Sequence, residues 1–376
     1  MKPELPAPPA VLAAVRAPFI EAQAATLDAP ILQPLGLLLD LAGDALRARL
    51  FVVQGEGGEE AALRPDFTIP AVRAHIDSGK AMGRYFYEGH AFRVAPRGES
   101  RAEEFLQIGL EVFEAGDSIG ADAEIAALAW RAAAAGGRGD LTLLLGDVGL
   151  FAAFIDSLDL AAPLAARLKR AFSSPRRLRA ELDGAWETAA AGVGAQRLSS
   201  LLATLSETEA AAVLEEVWAL AGIEPVGGRS AAEIVHRLAE RTALARAPRL
   251  TADQAGLIRR FLAIADAPTP ALAAVALLGG SGRKGLEAAL SAWTRRLDAL
   301  KAEGVPPEKM RFSASFGRAF GYYDGMLFEV RSAALPDDQP VAAGGRYDSL
   351  PARLGARVAT GAVGCMVRPA RAWSKG

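Results

Sequence analysis

Hydrophobic and polar residues alternate through the segment from Arg84 to Phe113, which has the form of two strands joined by a charged loop. In the second strand, Leu106, Ile108, Leu110 and Val112 share one face, as in a sheet covered by helices. The other face would carry Phe105, Gln107, Gly109, Glu111 and Phe113. An amide and a carboxylate on either side of a glycine suit a pocket floor, because they can hold an ammonium while the glycine lets a ligand approach the backbone. An exposed sheet face with ordinary polar residues is the alternative.

The rest of the pattern predicts an interrupted sheet. Helices and short strands alternate up to the apolar strand at 141–145, and strand character returns at 311–316, 322–330 and 362–367. The region between is rich in Ala, Leu and Arg and reads as helical. We therefore predict one discontinuous α+β domain, residues 1–147 and 304–376, with a helical insertion at 148–303.

Composition limits the function classes. The chain has 376 residues, of which 51% are hydrophobic, and a formal net charge of −2, so it lacks the overall basic character of a nucleic-acid binder. Its single cysteine, Cys365, excludes an internal disulfide framework, and its three histidines show no metal-ligand spacing. The proline-rich start does not resemble a signal peptide, and no run is long enough to span a membrane. We expect a soluble cytoplasmic protein without metal or cofactor.

Several polar motifs could carry chemistry, each with a structural alternative. Asp66 and Thr68 stand at a strand-to-helix transition, where a helix cap is the default explanation. Arg93 and Arg101 flank the hairpin mouth and could clamp a phosphate or carboxylate, although a solvated loop of compensating charges explains them as well. The glycine-rich stretch Gly279–Gly285 lacks the spacing of a phosphate-binding loop, and we interpret it as a linker.

Paired tyrosines precede a strong turn signal at Asp324-Gly325. If Tyr322 and Tyr323 belong to a strand, alternation sends their hydroxyls to opposite faces, so that at most one points into a pocket. Ordinary packing is the alternative.

The order of the motifs resembles histidyl-tRNA synthetases. The motifs are Leu63 to Thr68, Phe92-Arg93 to Gln107-x-Gly109-x-Glu111, Arg318 to Glu329, and Gly344-Gly345-Arg346-Tyr347-Asp348. The resemblance covers roughly residues 10–150 and 305–376. It implies a class II aminoacyl-tRNA synthetase-like fold, with an antiparallel sheet of about six or seven strands flanked by helices. It also implies dimerisation through the N-terminal helix and the strand around Pro30, and a pocket for histidine.

The resemblance assigns roles by position. The residues that resemble the histidine-binding groups are Asp66, Thr68, Arg93, Gln107, Glu111, Arg318, Tyr322 and Tyr323. Arg101 and Arg371 resemble groups that contact anions or ATP phosphates. An amino acid needs acceptors for its ammonium, cations for its carboxylate and a polar slot for its ring, which this set supplies.

Other positions depart from the synthetase pattern. Ala95 replaces a glutamate that serves ATP, Glu103 replaces an arginine, Pro369 disturbs the final motif and Asp66 stands where glutamate is usual. The sequence ends at Gly376, so the anticodon-binding domain of synthetases is not expected. Altered ATP groups beside a retained histidine pocket resemble the regulatory subunits of ATP phosphoribosyltransferase.

That resemblance implies a non-catalytic subunit, with no catalytic residue of its own. Its partners would be a short-form catalytic subunit and a second copy of itself within a hetero-oligomer, with histidine as the feedback inhibitor. An amino-acid-activating synthetase paralogue that still forms an adenylate is the alternative enzyme, favoured by Arg93, Arg101 and Arg318 but opposed by Ala95, Glu103 and Pro369. A tRNA-binding module is the third hypothesis, and the near-neutral charge opposes it.

Overall fold

The computed structural model describes residues 2–39, 48–96, 98–99, 101–114, 116–184, 205–221, 231–232, 235, 249–317 and 321–374. The chain forms two compact units. The larger comprises Met1–Leu158 and Arg259–Gly376, and the smaller comprises Asp159–Ile258.

The strands, in chain order, are β1 (Ala25–Thr26), β2 (Leu32–Pro34), β3 (Val52–Gln54), β4 (Glu60–Leu63), β5 (Gly83–Phe92), β6 (Glu104–Glu114), β7 (Leu141–Asp147), β8 (Ala265–Asp266), β9 (Met310–Ser313), β10 (Met326–Ser332), β11 (Ala342–Arg346) and β12 (Gly361–Val367). The helices are α1 (Pro9–Glu21), α2 (Thr68–Ser78), α3 (Ser118–Ala135), α4 (Val148–Ser157), α5 (Ala162–Ala171), α6 (Pro175–Leu182), α7 (Glu207–Ala221), α8 (Ala252–Leu262), α9 (Pro268–Gly279), α10 (Lys284–Ala302), α11 (Ser349–Arg353) and α12 (Pro369–Ala372). A short 3-10 helix covers Pro307–Lys309.

One large sheet organises the larger unit. Its strand order in the described residues is β1-β5-β6-β12-β11-β10-β7-β9-β8. The six strands from β5 to β7 in this order are all antiparallel, whereas β1 joins β5, and β9 joins β7, in parallel. Strands β2, β4 and β3, in that order, form a separate, smaller antiparallel sheet. The predicted antiparallel sheet flanked by helices is therefore confirmed, with short parallel strands added at its margins.

The β5–β6 hairpin forms as the alternation predicts, with Gly83 opposite Phe113 and Phe92 opposite Glu104. Both faces of β6 are buried, because helices α1, α2 and α12 contact the strand and its residues Gln107 and Glu111 line a pocket. Alanines make up much of α3, and their small side chains let the helix lie close to the sheet. Asp117 begins this helix by accepting a hydrogen bond from the amide of Ile119.

The boundaries between the units differ from the sequence expectation of 147/148 and 303/304. Helix α4 continues directly from β7 and contacts β10, while α10 packs against α3 and α4. The buried residues of α10 include the stripe Leu286, Trp293, Leu297 and Leu300. Burying this stripe away from water stabilises the larger unit. Helices α4 and α10 therefore belong to the same unit as the sheet, although their amino-acid composition resembles that of the smaller, helical unit.

In the described residues, the smaller unit consists of helical segments. Helices α5 and α6 contact one another, and Arg167 forms a 2.8 Å ion pair with the buried Glu181 between them. None of the helices in the described part of the chain combines the length and apolar character needed to span a lipid bilayer.

Asp147 connects helix α4 to helix α10 through hydrogen bonds, and its replacement tests how much these bonds stabilise the larger unit. One carboxylate oxygen caps α4 by accepting a hydrogen bond from the Gly149 amide at 2.7 Å. The other accepts a hydrogen bond from the Trp293 indole nitrogen at 2.7 Å. We expect Asp147→Ala to lower the free energy of unfolding by about 2 kcal/mol, because the cap is lost and the Trp293 donor loses its partner. Urea denaturation measures this change, and Asp147→Asn, whose single amide oxygen can replace only one of the two acceptors, should lose less stability than the alanine variant. A loss within about 0.5 kcal/mol for the alanine variant would contradict the assignment.

Candidate functional site

Most of the predicted histidine-binding residues line one cavity above the sheet. Its lining consists of Asp66, Thr68, Tyr87, Arg93, Gln107, Glu111, Tyr322, Tyr323, Ala343, Gly364, Cys365 and Met366. Seven of the eight predicted residues are in this set, and Arg318 lies outside the described residues. We call this cavity the polar pocket. Its free volume is about 20 Å³, room for about one water molecule.

Strand β6 supplies the pocket floor. Gln107 and Glu111 point to the same side, and Glu111 lies opposite Gly364 of β12 in the sheet register. A Cβ atom at position 364 would overlap Oε2 of Glu111, and one at Gly109 would overlap the Tyr87 hydroxyl. The two glycines therefore make the space that the polar side chains use. At Gly109 this space is filled by the Tyr87 hydroxyl, and not by the ligand that the sequence suggested.

Glu111 accepts hydrogen bonds from three hydroxyl groups. The Thr68 hydroxyl donates to Oε1 at 2.9 Å, the Tyr87 hydroxyl donates to the same atom at 3.5 Å, and the Tyr347 hydroxyl donates to Oε2. Glu111 is 1% exposed, and burial raises its pKa to about 8 even though the hydroxyl donors and their hydrogen bonds lower it. Glu111 can therefore accept a proton, or a cationic ligand, near neutral pH.

Asp66 is a second buried carboxyl in the pocket. The Tyr322 hydroxyl donates to its Oδ2 at 3.4 Å, while Oδ1 has no hydrogen-bond partner among the described residues. Burial raises the pKa of Asp66, and the positive charge of Arg93 opposes that shift. The Nε atom of Arg93 donates to the Pro65 carbonyl at 2.8 Å, which holds the guanidinium beside the pocket.

Gln107 has an amide group in the pocket whose hydrogen-bonding capacity is not met. Its side chain is fully buried, and neither its amide nitrogen nor its amide oxygen has a hydrogen-bond partner in the described part of the protein. A buried amide without partners costs roughly 1–3 kcal/mol, so a polar ligand that supplies both a donor and an acceptor would remove this cost.

Aromatic rings surround these polar groups. Tyr87 stacks on Phe67 with ring centroids 4.4 Å apart and planes within 4°, and the guanidinium carbon of Arg64 lies 4.3 Å from the centroid of the Phe67 ring. Tyr322 and Tyr323 both line the pocket, contrary to the expectation that alternation would separate them. That expectation was wrong because β10 begins only at Met326, which leaves both tyrosines in the preceding turn.

The helix-cap alternative also fails for Thr68. Helix α2 begins at Thr68 itself, so Thr68 is not the residue before the helix, and its hydroxyl donates to Glu111 at 2.9 Å. The sequence did not indicate Tyr87, which lines the pocket, or Tyr347, which donates a hydrogen bond to Glu111 from outside the lining. Tyr347 stands in a recognised glycine motif and Tyr87 in the recognised hairpin, but nothing in either pattern indicates a contact with Glu111 across the sheet.

A second cavity, of about 380 Å³, adjoins the polar pocket and shares Arg93 and Met366 with it. Six arginines line it, namely Arg49, Arg93, Arg101, Arg331, Arg368 and Arg371, and we call it the arginine cavity. It contains both predicted anion contacts. Arg101 is paired with Glu99 and Asp338, and Arg371 donates to the Pro340 carbonyl at 3.0 Å. Sequence reasoning did not find the contributions of Arg49, Arg331 and Arg368.

Glu103 does not line the arginine cavity, although the sequence placed its charge near the triphosphate region. Its carboxylate accepts from the amide of Lys2 at 3.0 Å and from that of Ala95 at 3.3 Å. Within the described residues, no group of three His, Cys, Asp or Glu side chains is placed to hold a metal ion.

Comparison with known proteins identifies the family. A family model for histidyl-tRNA synthetase matches residues 26–249 and 210–369. The ATP phosphoribosyltransferase regulatory subunit of Brucella anthropi is 35% identical over 351 residues, which cover 92% of each chain. The chain belongs to the ATP phosphoribosyltransferase regulatory subunit family. A second member of this family, from Brucella canis, is 35% identical over 353 residues, or 93% of each chain.

Solved structures show the fold of this regulatory-subunit family. An ATP phosphoribosyltransferase regulatory subunit/histidyl-tRNA synthetase from Bacillus halodurans has a TM-score of 0.62 at 19% identity, over 97% of this chain and 78% of that one. Histidyl-tRNA synthetase from Nostoc sp. PCC 7120 has a TM-score of 0.60 at 15% identity, over 96% and 69% of the two chains. The predicted synthetase-like α+β fold and the predicted family are thus both confirmed.

Proposed function

We propose that this chain is a non-catalytic, histidine-sensing subunit of ATP phosphoribosyltransferase. It would associate with a short-form catalytic subunit, as a dimer within a hetero-oligomer, and would be required for the activity of that partner. Histidine bound in the polar pocket would inhibit the complex, provided that it binds one conformation of the assembly better than another. The expected cytoplasmic location belongs to the same proposal.

The observation that carries this proposal is the set of buried polar groups without partners in the polar pocket. The free Oδ1 of Asp66 and the raised pKa of Glu111 favour a positively charged ammonium or imidazolium, and Gln107 offers a donor and an acceptor beside them. Arg93 lines the same pocket, and its guanidinium could bind the carboxylate of an amino-acid ligand. A zwitterion with a polar ring matches these requirements in one molecule.

The same residues support a second candidate, an adenylate-forming enzyme, because the arginine cavity adjoins the polar pocket. Against it, Ala95 offers no carboxylate for ATP, and Pro369 begins helix α12 where the synthetase motif continues without proline. Histidine-dependent exchange of pyrophosphate into ATP would support this candidate, and its absence at saturating substrates would exclude it.

Reconstitution with the short catalytic subunit from the same genome tests the regulatory proposal. We expect phosphoribosyltransferase activity only when both chains are present, and a fall in that activity as histidine is added. Gln107→Ala should retain activation but require at least about tenfold more histidine for inhibition, because the amide contacts are lost. Gln254→Ala, on helix α8, is the matched control and should behave like wild type. If this chain neither co-purifies with the catalytic subunit nor changes its activity, the proposal fails.

A further inference from the structure

Arg64 is buried but lines neither the polar pocket nor the arginine cavity. Its Nε donates a hydrogen bond to the His90 carbonyl at 2.8 Å, and its Nη1 donates to the Ala29 carbonyl. Both acceptors are neutral backbone oxygens, so the planar guanidinium acts here as a fork of donors that joins two segments of the chain. A lysine ammonium lacks this planar fork.

Backbone hydrogen bonds join Arg64 to the same two segments. Its amide donates to the Ile31 carbonyl at 2.8 Å, and its carbonyl accepts from the Phe92 amide at 3.0 Å. Ala29 and Ile31 precede β2, whereas His90 and Phe92 lie at the end of β5. Arg64 is therefore fixed on two sides, which makes it a rigid support for the groups that its side chain contacts.

The Arg64 side chain supports the aromatic wall of the polar pocket. Its guanidinium carbon lies 4.3 Å from the centroid of the Phe67 ring, and that ring stacks on Tyr87. Phe67, Tyr87 and Ala29 belong to one buried cluster, in which the two rings are 1% and 2% exposed. A contact between a cation and a ring is stronger in such a desolvated place than at the surface. The guanidinium therefore restricts the movement of Phe67, and Phe67 restricts that of Tyr87.

Tyr87 occupies space that a ligand of the polar pocket would need. Its hydroxyl lies 3.5 Å from Oε1 of Glu111 and 3.3 Å from the carbonyl oxygen of Cys365, and it fills the space beside Gly109. Hydrogen bonds of this length are weak, so they contribute little to holding the ring in place. The stack on Phe67 is the closer contact that holds it.

We propose that Arg64 is a positioning residue that keeps the polar pocket closed: by holding Phe67, it keeps the Tyr87 ring against Gly109. Release of the guanidinium from Phe67 lets both rings move away from the pocket floor, and the space beside Gly109 becomes available to a polar ligand. Arg64 touches no ligand and acts only through the two rings. The identity of that ligand as histidine rests on the proposed function.

The rate at which the Phe67 ring flips in the ligand-free full chain tests this role directly. NMR of protein with labelled phenylalanine measures it, because a closely packed ring flips slowly and a loosened ring flips faster. We expect Arg64→Lys, which keeps the charge but loses the fork, to raise the flip rate at least about tenfold. The matched control is Arg296→Lys, since Arg296 is also buried and contacts the Trp293 ring, but lies outside the polar pocket. It should leave the flip rate of Phe67 unchanged.

Histidine binding gives the second measurement. Because a closed pocket lowers the apparent affinity in proportion to the fraction of open molecules, Arg64→Lys should bind histidine about tenfold more tightly than wild type, with most of the gain in the association rate. Calorimetry and stopped-flow kinetics on the full chain measure the two quantities. Damage to the fold would weaken binding, so the direction of the change separates positioning from a merely structural role. If wild type binds no histidine, the proposed function fails, while the flip rate still tests Arg64.

Gly89→Ala disturbs the same contact and leaves Arg64 in place. A Cβ atom at Gly89 would lie 2.7 Å from Nη2 of Arg64 and 2.9 Å from Cζ of Phe67, so the contact between them must shift. We expect this variant to raise the flip rate and the histidine affinity, as Arg64→Lys does. Gly139→Ala is its control, because a Cβ atom there meets no atom within 4 Å.

Three results would overturn this role of Arg64. They are an unchanged flip rate of Phe67 in Arg64→Lys, a loss of histidine affinity in that variant, and an equal increase of either quantity in Arg296→Lys.

Discussion

Replacing Glu111 with glutamine is expected to weaken histidine binding at least about 100-fold while leaving the fold intact, because a buried charge pair with the ligand is lost. The amide keeps the size of the carboxyl group and still accepts a hydrogen bond from Thr68 or Tyr347. Calorimetry with histidine measures the affinity. Glu114→Gln is the control, since Glu114 lies on the same strand but outside the polar pocket. Equal affinities for Glu111→Gln and wild type would remove Glu111 from the site.

The pH dependence follows from the same group. The pKa of Glu111 is about 8 in the empty pocket, so the carboxyl is largely protonated at pH 7. A bound cation favours the ionised form, and histidine binding at pH 7 should therefore release a proton. Titrations in buffers with different ionisation enthalpies count the protons released. Glu111→Gln should release fewer than wild type, and equal numbers would contradict this assignment.

Stability without ligand should change in the corresponding direction. Because the folded pKa lies above the unfolded value of about 4.5, the protonated folded form is favoured, and stability is lost as pH rises toward 8. Between pH 5.5 and 7.5 this single group lowers the free energy of unfolding by about 2 kcal/mol. Urea denaturation at the two pH values should show this fall in wild type and a smaller one in Glu111→Gln.

Asp122→Ala is expected to destabilise the larger unit by about 3–5 kcal/mol, the usual cost of removing one partner from a buried ion pair. Asp122 is fully buried on α3, and its two oxygens accept from Arg296 of α10 at 2.8 Å and from Arg346 of β11 at 2.7 Å. Burial raises the pKa of Asp122, while both arginines favour its ionised form. In the alanine variant the guanidiniums of Arg296 and Arg346, whose side chains are 9% and 7% exposed, would lose this carboxylate partner.

A neighbour on the same helix provides the control for that measurement. Glu124 pairs with Arg84 at a side-chain exposure of 38%, where solvent screens the interaction. Glu124→Ala should therefore cost less than about 1 kcal/mol in urea denaturation. A similar small loss for Asp122→Ala would show that the buried cluster does not hold α10 against the sheet.

Local patterns along the chain predicted the parts of the structure that depend on neighbouring residues. The alternation in β6 indicated both its apolar face and the polar face that forms the pocket floor. Successive side chains of a strand point to opposite faces, so this pattern can be recognised without knowing which elements pack against the strand. The apolar stripe on α10 could also be recognised from the sequence. What the sequence could not show was that α10 lies against α3, since nearly all the helical segments from 148 to 303 have similar composition.

The candidate site was predictable in its motifs and less so in its geometry. Seven of the histidine-binding candidates that the ordered motifs indicated line one pocket, but the hydrogen bond from Tyr347 to Glu111 joins residues 236 positions apart. The same holds for Glu4, which meets Arg368 across 364 positions. Contacts between distant segments depend on strand order and register, which the local sequence does not encode.

The small free volume of the polar pocket would limit the response of the proposed histidine sensor. A pocket with room for about one water must open before it admits an amino acid, so part of the binding energy goes into parting the rings around Tyr87 and Tyr322. If about one molecule in a hundred is open at a given moment, the apparent dissociation constant is about a hundredfold higher than that of the open form. If histidine is sensed in this pocket as proposed, the fraction of open molecules would set the histidine concentration at which the protein responds. Loosening the Phe67–Tyr87 stack would raise that fraction and lower the concentration needed.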